Sequence, residues 1–142
     1  EILDEAILKF SQNSSFKMQK FNLLLTRFHR YKAAYALGYQ LVEKNFDDSG
    51  TLNSIAWTIA DTEGLEVRDL DLALKAAAQA NKLTDSKNAA ILDTLARVYY
   101  EQGDLAAAVK WQRLAAQNAD AGANGDSIRK VLDQYRKEKA EQ

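Results

Sequence analysis

Residues 52–56, LNSIA, return 40 residues later as LDTLA at 92–96. Residues 69–75, DLDLALK, return 35 residues later as DLAAAVK at 104–110. Two different pieces recurring in the same order mark a repeated unit, and such self-similarity constrains a fold more than any local motif does. The offsets differ by five residues, so the earlier unit carries an insertion between its two pieces, placed in DTEGLEVRD at 61–69.

Each piece reads as a helix. Leu92, Leu95, Ala96 and Tyr99 share one face at helical spacing, and Leu105, Ala108, Val109 and Gln112 share another. Gly103 separates them. It can take a positive φ and end the first helix, after which Asp104 can cap the second through its side-chain oxygen. Ala96, Ala108 and Ala115, and likewise Ala56, Ala73 and Ala80, stand where two helices approach closely. A larger residue there overpacks, at about 1–3 kcal/mol. One such hairpin leaves an apolar face uncovered, and this is the physical reason for repeating it.

A fainter copy precedes these two. In FKMQKFNLLLTRF, Met18, Phe21, Leu25 and Phe28 form one face, and in YKAAYALGYQLVEKN, Ala34 takes the position of Ala73 and Ala108. The hinge between them, HRY, has no glycine. The expected organisation is a single all-α domain: a leading helix over 1–15, a degenerate repeat over 16–48, a repeat with an extended loop over 49–86, a repeat over 87–121 and a capping helix over 122–142. Asp126 is the expected N-cap of that last helix, whose apolar face is Ile128, Leu132 and Tyr135.

Composition agrees with helices. Hydrophobic residues make up 46% of the chain, charged residues 27%, and there is no proline. The net charge of −1 exerts no global pull on nucleic acid or an acidic membrane, so neither is an expected partner. Charge is nevertheless uneven. Lys17, Lys20, Arg27, Arg30 and Lys32 stand together without an acid, while residues 43–71 are largely acidic. These read either as solvated faces or as a basic end that attracts an acidic partner. No apolar run nears the roughly 18 residues of a membrane helix. A start at Glu1, with neither Met nor a signal pattern, leads us to expect a processed product or a piece of a longer polypeptide.

The chemistry of catalysis is missing from the sequence. Without cysteine there is no disulfide, thiolate nucleophile or Cys-based metal site. His29 is the only histidine and has no partner set for zinc. Gly122 and Gly125 in AGANGD read as a loop between helices, and NFDDSG lacks the spacing and distal Glu of a calcium loop. No catalytic residue, metal or cofactor is expected, and no enzyme.

On these residues the chain resembles the tetratricopeptide repeat family, whose unit is a helix–turn–helix of about 34 residues. Leu92, Leu95, Ala96, Tyr99, Gly103, Ala108 and Ala115 match its packing positions, as do Leu52, Ile55, Ala56, Ile59, Ala73 and Ala80. Met18, Phe21, Leu25, Ala34 and Leu41 match more weakly. Gln112 and Ala77 stand where the family has an aromatic, and Asp85 and Asp120 replace its closing proline. The resemblance implies a right-handed α-α superhelix of about three hairpins with flanking caps, acting as a protein–protein interaction scaffold. First helices would line a concave groove for a peptide or protein segment. The groove positions it implies are Gln19, Leu23, Thr26 and Arg27, then Asn53, Trp57, Ala60 and Asp61, then Asp93, Arg97, Tyr100 and Glu101. Only Asn53 and Arg97 match the family's chaperone-tail clamp, so chaperone binding is not expected.

Arg97 and Tyr100 fit no inner packing position and are the stronger contact candidates. Trp57 reads two ways. It can anchor a partner, or Leu65 or Val67 can fold back over the indole; the second is the expectation. Trp111, Tyr31, Tyr35 and Tyr39 belong to packing or to the convex side. Self-association through the cap or these aromatics is a further alternative. A narrower resemblance, carried by LNSIAWTIAD, DTLARVYYEQGDLAAAVKWQ and the closing YRK, is to helical segments attached to bacterial thioredoxin-type proteins. It implies an accessory domain whose redox chemistry lies outside this chain, in the periplasm or cell envelope; without that attachment a cytoplasmic location is expected.

Overall fold

A computed structural model describes residues 2, 4 and 5 and residues 13–142. The described residues are all-helical, without a strand. Most of the expected leading helix lies outside them. The elements are α1 (Ser14–Asn22), continued by a π-helical turn (Leu23–Arg27), then α2 (Tyr31–Lys44), α3 (Ser49–Asp61), α4 (Leu70–Leu83), α5 (Ala89–Glu101), α6 (Leu105–Asn118) and α7 (Ala123–Ala140). None of these helices is long and apolar enough to cross a membrane.

Short polar side chains set most of the helix starts. Asp48, Asp69, Asn88 and Asp104 each accept from the backbone N–H three residues on, at 3.0–3.1 Å, beginning α3, α4, α5 and α6. Gly103 ends α5 with φ 85°, as its place before the Asp104 cap requires. His29 does the same work in the glycine-free hinge, at φ 51°. Asp126 does not cap α7. That helix begins at Ala123 after Gly122, and the Asp126 carboxylate sits inside the first turn and takes Arg129 Nη2 at 2.9 Å.

The small residues are where close approach demands them. Ala34, Ala56, Ala73, Ala80, Ala96, Ala108 and Ala115 are all fully buried. α3 packs on α4, α4 on α5, α5 on α6 and α6 on α7, while α3 also packs on α5 and α2 on α4. Gly38 lets α1, α2 and α4 converge. A Cβ at that position would stand 2.9 Å from Leu72 Cδ2 and 3.0 Å from Phe21 Cε1.

The insertion at 62–69 is pinned rather than loose. The Tyr35 hydroxyl donates to the Val67 carbonyl at 2.6 Å, and the Tyr31 hydroxyl accepts from Glu66 N–H at 3.0 Å. Tyr39 reaches Asp69 at 3.4 Å. These tyrosines recur every four residues on α2, so one helical face holds the whole loop. From the other side, Arg68 donates through Nη1 to Ile59 O and through Nη2 to Thr62 O, both at 2.6 Å. Those are carbonyls at the α3 C-terminus, where the helix itself supplies no donor.

Candidate interaction face

α3 carries Asn53, Trp57 and Asp61 at four-residue spacing, and α5 carries Asp93, Arg97 and Glu101 in the same way. Because α3 packs against α5, the two rows meet. Arg97 Nη1 lies 2.9 Å from Asp61 Oδ1, and its Nε and Nη2 reach Glu101 Oε1 at 3.0 and 2.9 Å. Burial works against the Arg97 charge, but Glu101 and Asp61 outweigh it and hold the guanidinium pKa above its usual value.

Tyr100 has a different setting from the one expected. Its ring stacks on Tyr135 of α7 with centroids 4.6 Å apart and planes 16° from parallel, and its hydroxyl donates to Glu138 Oε1 at 3.0 Å. It is therefore a packing residue as well as a rim residue. Burial, then the Glu138 carboxylate, pushes its pKa up. Asp93 is also engaged: Gln112 Nε2 donates to its Oδ1 at 2.7 Å and to Ile128 O at 3.1 Å. Burial raises the Asp93 carboxyl pKa against the pull of Gln112 and Arg97.

Trp57 keeps 37% of its surface exposed, while Val67 is 49% exposed and Leu65 packs against the main core. Ala60, expected in the groove, is instead fully buried. Its position on α3, one residue before Asp61, turns it toward the core.

The candidates on the first unit do not join this cluster. Leu23 and Arg27 belong to the π-helical turn. Leu23 lines a cleft of about 360 Å³ with Asp4, Lys20, Leu24, Phe28, Arg30 and Ala33, and no α3 or α5 residue contributes to its walls. Gln19 and Thr26 are exposed, and the Thr26 hydroxyl donates to its own helix at Asn22 O, 2.7 Å away.

Sequence reasoning missed the contribution of α7. Tyr135 and Glu138 complete the α5 rim, and Gln112 ties Asp93 to α7 from below. Gln112 did leave a signal: a polar residue at a position otherwise reserved for an apolar one. Among the described residues no group of three or more His, Cys, Asp or Glu is placed to hold a metal ion. No family model, curated protein or solved structure matches the chain.

Proposed function

We propose that this chain is a tetratricopeptide-like interaction module, a superhelix of about three hairpins that holds a protein segment against its α3–α5 face and performs no catalysis. The observation that carries the reading is Trp57, a large aromatic left 37% exposed in line with a fixed polar row. Exposed aromatics with rigid polar neighbours have the chemistry of a binding anchor, since tryptophan is enriched among the residues that dominate interface energies. The Asp61–Arg97–Glu101 network supports the reading in a second way. Its side chains are already ordered by one another, so a partner that meets them loses little rotamer freedom on their account.

The test is a peptide-display selection on the full chain, run in parallel on Trp57→Ala. The expected result is a set of enriched peptides whose binding weakens by about 2 kcal/mol or more in the variant. Peptides recovered equally well by both proteins, or no enrichment at all, would overturn the reading.

A further inference from the structure

The charge on this face is lopsided. Among the described residues, the carboxylates it presents are Asp61, Glu101 and Glu138, with Arg97 as their cation; Asp93 is more deeply buried and is bonded to Gln112. Arg97 already commits three of its five N–H groups, and its charge, to Asp61 and Glu101. Among the described residues, what the face lacks is positive charge.

We propose that the partner segment is cationic: a lysine or arginine set against the Asp61–Glu101–Glu138 side, with an apolar or aromatic residue of the same segment on Trp57. The inference rests on the proposed function and narrows its partner. Charge complementarity selects this occupant over an acidic segment, which would meet three carboxylates and a cation already paired with two of them. The exposed indole separates it from a purely polycationic ligand. Its face attracts an apolar side chain, and also the stem and charge of an arginine.

The experiment uses the full chain and three sets of labelled synthetic peptides, equal in length and apolar content, rich in Lys/Arg, in Ser/Gln or in Asp/Glu. Binding is read by fluorescence anisotropy at low and high salt. The cationic set should bind at least about tenfold more tightly than the neutral set and lose most of that advantage at high salt. Trp57→Ala should weaken it by about thirty-fold. The paired change Asp61→Asn with Glu101→Gln should abolish the preference for the cationic set. Glu138→Gln, at the half-buried far end of the face, provides the same test if circular dichroism shows that the paired change disturbs the fold. Equal binding of all three sets that still depends on Trp57 would overturn the cationic partner and leave the proposed function standing. Preference for the acidic set would overturn it too. Absence of any Trp57-dependent binding would remove both.

Discussion

Asp93 shows how a single residue can be read only once its surroundings are known. On the sequence it is a charged residue at a groove position of α5. In the fold its carboxylate is largely withdrawn from water and accepts from Gln112 Nε2. Its pKa is raised by burial, so the folded state holds a proton that the unfolded chain has already lost. Its stabilising contribution is therefore complete below about pH 4, where the unfolded carboxyl titrates, and it falls as pH rises through the higher folded value. Asp93→Asn cannot ionise, and its amide oxygen can still accept from Gln112 Nε2. The variant is expected to gain about 1 kcal/mol at neutral pH and to show a flatter stability profile in the acid range. Chemical denaturation across pH measures both. A less stable variant, together with a wild-type stability that falls rather than rises as the pH is lowered through the carboxylate range, would mean that the ionised carboxylate is what this seam requires.

At the scale of elements, the loop at 62–69 is the instructive case. An insertion between two packed helices can dangle or can be built in, and here three tyrosines of α2 and Arg68 build it in. Arg68 matters most because it serves two carbonyls that the end of α3 leaves unpaired. Arg68→Ala should cost about 1–3 kcal/mol, the penalty for partly buried groups left without partners, as read by thermal unfolding. Hydrogen exchange in the variant should rise first at the C-terminal turn of α3. A loss of stability spread evenly over the chain, with α3 unchanged, would locate the role of Arg68 elsewhere.

Among the described residues, packing is unequal along the chain. α4 lies against α2, α3 and α5, and α5 lies against α3, α4 and α6, so both are covered from several sides. Among the described residues, α1 packs mainly on α2 and the π-helical turn. In a fold whose elements mostly contact near neighbours, local opening follows local coverage. Native-state hydrogen exchange should accordingly find the slowest amides in α4 and α5 and faster exchange in α1, before global unfolding contributes. Uniform protection from α1 to α6 would mean that the chain opens only as a unit. This gradient also bears on the interaction face, which sits on α5 and on α3, itself packed against both α4 and α5. A binding surface is most effective where its side chains are held by such a scaffold.

The sequence by itself determined that the chain is helical, and it marked several of the helix starts. Those follow from local physics: apolar spacing, the Asp and Asn caps, the positive φ that Gly103 allows, and the repeated small residues that demand close helix contacts. It also located the insertion, because two offsets that differ by five residues leave one place to put it. Sequence periodicity could not say which side chains α7 would cover, since that depends on contacts between residues as far apart as Tyr100 and Glu138. Only the tertiary structure turned Tyr100 from a free contact into a stacked one, left Trp57 partly exposed and sent Ala60 into the core. Helices are local in sequence, and a periodic pattern can announce them. A face is made by whichever helices pack beside one another, and its free charge is what remains after their side chains have paired.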